Sequence, residues 1–460
     1  MSRPPPESLA DLHLHSRFSL ATSPACTLEG YAAWAQRKGL ALLGSGDATH
    51  PGWRAELERK LAPAPAAPGL YRLRAEFAAA AQAEVPASCH APVHFLATAE
   101  VACVWSQGGR LRKVHALLLF PTLAAAAALA ARLAPWGRLD GDGRPTLRLA
   151  LRELFALAKE TAAETLLIPA HIWTPWFGLF GARSGFDSLA EAFGDLAGEV
   201  LAAETGLSSD PPMNARWSAL DRLTLVASSD AHSPAALGRN ATIFRGDLSF
   251  PALRRALASR DPALFGGTLH LFPQEGKYYH DGHRACGVSL APAAAAAAGG
   301  RCPACGRPLT PGVLHRIQAL ADRPLGGAGR PGVPPYTHLI PLPELLAEMA
   351  GRQPGSPVVR RLYGRFLERF GPELPFLRHG EIAALAAVAE FAPLAPLLRN
   401  LRAGLVNCQP GADGRFGTVR AGGQRGGRSS QVLNQRESSR SGQRRARSFM
   451  AAHSAAAGGS

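Results

Sequence analysis

Residues 9–19 read Leu-Ala-Asp-Leu-His-Leu-His-Ser-Arg-Phe-Ser. The centre of this run, Asp11-Leu12-His13-Leu14-His15-Ser16, alternates apolar and ionisable side chains with the period of a strand. Residues two apart on a strand face the same side, so His13 and His15 are expected to reach one metal ion together. A His-x-His pair is common by chance, and its weight depends on what the rest of the chain places beside it.

Up to about residue 270, short apolar runs alternate with Ala- and Leu-rich stretches. Strands are expected at 40–44, 93–97, 115–120, 166–168, 200–203 and 223–227, and helices at 28–38, 123–133, 146–159 and 250–258. This alternation implies an α/β fold with a parallel sheet or a barrel. Ionisable residues follow the expected strands. Asp47 comes after 40–44, Glu100 after 93–99, His171 after 166–170, and Asp230 and His232 after 223–228, while His115 opens the run at 115–120. In α/β barrels the C-terminal strand ends carry the site.

With His13 and His15 the set offers eight nitrogen and oxygen donors, more than one tetrahedral ion takes, so two or three metals are expected. These donors favour zinc, manganese or iron over calcium, with magnesium a further candidate at the catalytic cluster. Such a cluster lowers the pKa of a bound water and clamps the attacking and leaving oxygens of a phosphate ester. Glu100 is the candidate bridging carboxylate. Glu100, His171, Asp230 and His232 are the expected catalytic residues, with His171 or His232 as proton donor to the leaving oxygen.

The chain has 460 residues, 47% hydrophobic and 18% charged, with 48 Gly and 38 Pro. That excludes collagen-like and wholly disordered classes and suits two or three domains. No 18-residue run is apolar, charge-free and without a breaker, which argues against a membrane span. The Pro-rich start does not read as a signal peptide, and a cytoplasmic location is expected. The formal charge of +15 suits a polyanion such as nucleic acid. It is uneven: residues 411–460 hold nine Arg against Asp413 and Glu437, a net of +7, in a Gly/Ser/Arg-rich tail expected to be disordered.

Three of the seven cysteines cluster late. His283-x2-Cys286 and Cys302-x2-Cys305 form two paired spacings that match a closed structural zinc site, with His280 an alternative first ligand. Cys26, Cys89, Cys103 and Cys408 show no such spacing and read as ordinary thiols of a reducing compartment.

The donor set resembles the polymerase and histidinol phosphatase (PHP) superfamily, which implies a PHP-type distorted (β/α)7 barrel with a trinuclear metal site. It is similar, more specifically, to endonuclease Q, a family of DNA repair enzymes. That likeness rests on residues 11–19, Gly44-Ser45-Gly46-Asp47, Pro169-Ala170-His171-Ile172-Trp173-Thr174-Pro175-Trp176 and Gly206-Leu207-Ser208-Ser209-Asp210. It continues through Ser229-Asp230-Ala231-His232-Ser233-Pro234, Gly276-Lys277-Tyr278 and Cys302-Pro303-Ala304-Cys305-Gly306. The resemblance implies a metal-dependent endonuclease acting on damaged DNA. It would hydrolyse the phosphodiester bond 5′ of deaminated bases (uracil, hypoxanthine, xanthine) and of abasic sites, leaving 3′-hydroxyl and 5′-phosphate ends. The alternative is a PHP phosphatase for a small phosphate monoester. One departure stands out: many PHP phosphatases place a third His where this chain has Ala21, so a third metal would rely on Asp47 and His232.

A nuclease that inspects a base must hold it outside the stack. Phe18, Trp173, Trp176 and Phe177, with the polar Ser208 and Asn214, are the expected substrate-binding residues. The expected domain plan is a metallohydrolase barrel at 9–270, a zinc-binding module at 271–322, a helical C-terminal domain at 323–410 and the basic tail at 411–460.

Overall fold

The structure is a computed structural model that describes residues 6–324 and 333–422. Residues 325–332 of the expected C-terminal domain, and residues 423–460 of the expected tail, lie outside the described residues. The first strand, Glu7–Asp11, lies at the centre of an eight-stranded sheet. It pairs in parallel with Leu42–Gly44, which pairs in parallel with His94–Leu96. On its other side it pairs antiparallel with Ala241–Arg245, which pairs antiparallel with Phe265–Leu271. Three more strands, Leu61–Pro63, Leu70–Leu73 and Tyr336–Leu339, complete the edges.

The expected purely parallel arrangement is therefore corrected: the fold is mixed α/β. A second sheet holds Thr146–Leu147, Thr98–Gln107, Arg110–Leu119 and Leu166–Pro169, and a third pairs Ala202–Glu204 with Thr224–Val226. Backbone bonds join their ends. Ile172 N–H donates to Glu204 O at 3.0 Å, and His15 N–H to Ala231 O at 3.0 Å. Among the described residues, hydrogen bonding groups these strands into separate sheets.

Two local readings are also corrected. His115 does not open a strand; it lies within Arg110–Leu119, one arm of a hairpin. The turn is Gly108-Gly109, both at positive φ (60° and 71°), as two-residue hairpin turns require. The helix expected at 146–159 begins later, at Leu151–Thr161, behind a short strand. The helices expected at 28–38 and 123–133 form as Leu28–Lys38 and Leu123–Leu133. Thr27 and Thr122 cap them by accepting bonds from the N–H groups of Gly30 and Ala125 at 3.1 Å each.

The C-terminal helices do not stand apart. Tyr336–Leu339 extends the main sheet, and one apolar core runs from Leu28–Lys38 into Pro357–Phe370 and Leu394–Arg402. Lys38 Nζ meets Glu373 at 2.8 Å with the two side chains 2% and 1% exposed. Glu373 also accepts from Tyr363 Oη at 2.8 Å and from Leu342 N–H at 3.0 Å. Removing one partner of a buried pair leaves an uncompensated charge. Lys38→Met is expected to lower stability by about 3–5 kcal/mol, and adding Glu373→Gln to recover part of it, as read from urea unfolding midpoints.

Residues 411–422 are ordered, which corrects the expected start of the tail. Thr418–Arg420 pairs with Asn407–Gln409, and Asp413 accepts from Arg284 N–H at 2.6 Å, tying this hairpin to the Cys/His segment. Among the described residues no helix is long and apolar enough to cross a membrane.

Candidate metal centre

The strand pairing explains the donor geometry. Glu100 and Ala102 are two apart on one strand, and Ala102 lies opposite His115 on the next, so Glu100 and His115 share a face. His13 and His15 follow Glu7–Asp11, His171 follows Leu166–Pro169, and Asp230 follows Thr224–Val226. Three residues here hold positive φ without being glycine: Asp47 (48°), His171 (29°) and Asp230 (51°). Such backbone persists only where its surroundings over-determine it, and it gathers at functional sites.

Two donor groups meet at Glu100. In one, His13, His15, Glu100 and Asp230 place a ligand atom each within 4.8 Å of the others; in the other, Glu100, His115 and His171 do so. Glu100 Oε2 lies 3.4 Å from His13 Nε2 and 3.2 Å from His15 Nε2. Its Oε1 lies 2.8 Å from His115 Nδ1 and 3.1 Å from His171 Nε2. Each carboxylate oxygen thus faces a different imidazole pair, the arrangement of a ligand shared between two cations.

The outer partners fix which ring nitrogen faces inward. His13 Nδ1 is 3.0 Å from Glu204, His15 Nδ1 is 3.2 Å from Asp47, and His171 Nδ1 is 3.0 Å from Thr174 Oγ1. Each leaves Nε2 for the cluster, as metal-bound histidines require. His13 Nε2 is buried and makes no hydrogen bond, which fits a metal as its partner.

Electrostatics agree. Burial resists the charged forms, yet Glu204, Glu100 and Asp230 hold His13 well above the usual imidazole range. Against the same cost of burial, the imidazoles of His115 and His13 keep Glu100 well below the usual carboxylate range. Burial pushes His115 down to about 4, the neutral state that ligates metal. Four buried or half-buried carboxylates, Asp47, Glu100, Glu204 and Asp230, converge here and call for cations.

Two further expected ligands, Asp47 and His232, lie against His15 at the edge of the cluster. Asp47 spends both oxygens on orientation: Oδ1 on His15, and Oδ2 on Ser16 N–H at 2.7 Å and Ser19 Oγ at 2.9 Å. It belongs to neither donor group. His232 lies beside His15, rings 4.6 Å apart, with its Nδ1 on Asp230 O at 2.8 Å, and is also outside both groups.

Sequence reading missed Glu204 and Arg144. Glu204 ends the strand Ala202–Glu204, and besides His13 it accepts from His171 N–H at 2.9 Å. Its place at a strand end was the available signal. Glu204→Gln is expected to weaken metal affinity or activity about 10–100-fold, measured by metal titration against a chelator.

The expected base-reading residues divide. Trp173 is 1% exposed, packs against Phe180 and Trp217, and donates Nε1–H to Asn214 at 2.7 Å. Asn214 also donates to Ser209 Oγ and Asp210 O. Both side chains are buried, with their polar atoms engaged inside the protein. Ser208 is buried against Gly276. Phe18 is partly buried on His50, and Phe177 packs on His115 with ring centroids 4.4 Å apart. Trp176 is 40% exposed and meets Tyr278 edge-on.

A second, separate donor group joins His283, Cys286, Cys302 and Cys305. His283 rather than His280 lies with the thiols, 3.5 Å from Cys305 Sγ, while His280 sits near Ser289. Against the cost of burial, the N–H groups of Ala304 and Cys305 hold the Cys302 thiol below its usual range.

No family model matches the chain. Curated proteins do. An uncharacterized protein of Methanocaldococcus jannaschii is 28% identical over 257 residues, 54% of this chain, which spans about a third (31%) of that relative. The uncharacterized protein YqxK of Bacillus subtilis is 29% identical over 309 residues, 67% of this chain and 74% of that protein. Among solved structures, the lesion-specific endonuclease PfuEndoQ from Pyrococcus furiosus is 31% identical with a TM-score of 0.76, over 90% of this chain and 95% of that one. An endonuclease Q bound to a 27-mer duplex substrate with an abasic lesion at its active site is 31% identical with a TM-score of 0.77, over 90% and 96%. A mixed α/β scaffold that gathers two imidazole groups on one carboxylate, beside a Cys3His group, is that of a metal-dependent hydrolase. The chain belongs to the endonuclease Q family.

Proposed function

We propose that the chain is a metal-dependent DNA repair endonuclease that hydrolyses the phosphodiester bond 5′ of deaminated bases and abasic sites, leaving 3′-hydroxyl and 5′-phosphate ends. The observation that carries this reading is the bridging position of Glu100 between two imidazole groups. The likeness over 90% of the chain to an endonuclease Q holding an abasic duplex supports the substrate class. The strand ends of three sheets converge on one site, which supports a PHP-type distorted barrel. A small-monoester phosphatase would need neither the Cys3His module nor the C-terminal helices.

In this reading His13, His15, Glu100 and Asp230 hold one divalent cation, and Glu100, His115 and His171 hold a second. Zinc, manganese or magnesium bound there would supply Lewis acidity toward the phosphate and a water acidic enough to attack it near neutral pH. Glu204, Asp47 and Thr174 keep the imidazoles aimed, which confines the reaction to one geometry. His232 donates Nδ1–H to Asp230 O, and in its imidazolium form, with hydrogen on both ring nitrogens, it would give the Nε2 proton to the departing O3′. His283, Cys286, Cys302 and Cys305 hold structural zinc. Trp176, Phe177 and Phe18 are the side chains left to meet the flipped base. Work on DNA would place the protein in the cytoplasm.

The test is a nicking assay on duplexes carrying uracil, hypoxanthine, xanthine or an abasic site, with the cut mapped to the nucleotide. The reading requires incision 5′ of the lesion and none on undamaged duplex. Phosphate release from a small monoester without nicking would favour the phosphatase alternative.

A further inference from the structure

Arg144 enters the metal centre from a segment that no motif marks. Residues 137–145 connect the turn Ala134–Trp136 to the strand Thr146–Leu147. The segment is bolted to the His-x-His loop. Gly143 N–H donates to Phe18 O at 3.1 Å, and Asp142 Oδ1 accepts from Leu20 N–H and Arg144 N–H, each at 3.1 Å. Gly143 is required by proximity: a Cβ there would lie 2.1 Å from Asp47 Oδ2 and 2.3 Å from Ser19 Oγ. The backbone is therefore fixed against the same Asp47 that orients His15, and it delivers the guanidinium to the cluster. Arg144 Nη1 lies 3.3 Å from Glu100 Oε2, and the side chain keeps 26% of its surface open.

An ion pair with Glu100 is not a sufficient role. Both Glu100 oxygens already face imidazole pairs, so neither is free to serve a guanidinium once cations are bound. Charge points the same way. Two divalent cations balance the carboxylates of Asp47, Glu100, Glu204 and Asp230. A phosphodiester then adds one negative charge, and its transition state a second. A fixed guanidinium matches phosphate oxygens in a planar fork that no ammonium reproduces.

We propose that Arg144 is a catalytic residue that binds a non-bridging oxygen of the scissile phosphate and stabilises the charge gained in the transition state. The inference rests on the endonuclease reading above. Cations held at Glu100 would repel the guanidinium and leave it to pair with the phosphate.

The experiment compares the metal-loaded full chain with Arg144→Ala and Arg144→Lys on an abasic-site duplex. Single-turnover rate, duplex affinity and metal content per chain are measured, with and without added guanidinium ion. The expected result is a rate about 100–1,000-fold lower in both variants. Metal content stays unchanged, and affinity falls by less than about tenfold, one phosphate contact's worth. Guanidinium ion restores at least part of the rate to Arg144→Ala and does not speed the unsubstituted chain. An unimpaired Arg144→Ala, or a loss that follows lost metal and resists guanidinium, overturns the inference and leaves the endonuclease reading standing. Failure of the unsubstituted chain to nick would overturn both.

Discussion

Replacing Glu100 by Gln is expected to lower the nicking rate about a thousandfold or more, roughly 4 kcal/mol of lost transition-state stabilisation. The size follows from position. One carboxylate serves both imidazole groups, with Oε2 toward His13 and His15 and Oε1 toward His115 and His171. An amide offers one acceptor oxygen and an NH2, so it cannot present a lone pair to each side. The variant is therefore expected to lose metal as well as turnover, while binding damaged duplex with nearly unchanged affinity. Single-turnover kinetics, metal analysis and a binding titration on one preparation check this. A Glu100→Gln chain that nicks within tenfold of the parent would show that Glu100 does not bridge.

The second large effect is expected in the Cys/His module. The hairpin of Asp281–His283 and Val288–Leu290, with the short helix Pro292–Ala297, encloses a core of only Ala295, Cys302 and Leu309, backed by half-buried Val288 and Leu290. So little apolar burial does not hold a segment of this length folded, and a structural zinc contributes about 10–16 kcal/mol of apparent binding free energy at neutral pH. Cys302→Ser is expected to remove one zinc per chain and to open the segment to proteolysis between His283 and Cys305. The main sheet would keep its unfolding midpoint. A variant with unchanged zinc content and no new cleavage would contradict the assignment.

What the sequence made legible was chemistry carried by short spacings. His13 and His15 reach one donor group just past the strand Glu7–Asp11, and two Cys/His pairs with x2 spacing fall together as a second group. The paired strands around Glu100 and His115 were harder. The hairpin's local marker was Gly108-Gly109, and Arg110, Arg112 and Lys113 break the apolar pattern of the second arm before His115. Glu204 directly follows the expected strand at 200–203, the same signal that marked the other donors. Asp47 follows a strand, as other donors do. Which way its oxygens point depends on a left-handed backbone and on Ser16 and Ser19, contacts that exist only in the fold. Nothing local in the sequence tells a buried indole such as Trp173 from an exposed one such as Trp176. That Tyr336–Leu339 extends the main sheet depends on pairing with Phe265–Leu271, which no local spacing announces.

The most direct measurement is anomalous diffraction above the zinc absorption edge from crystals of the full chain equilibrated with zinc. The account predicts two peaks flanking Glu100, one bonded to His13 and His15 and the other to His115 and His171, and a third within the His283, Cys286, Cys302 and Cys305 group. A map with density only at the cysteines, and the four imidazoles still hydrogen-bonded to carboxylates, would contradict it.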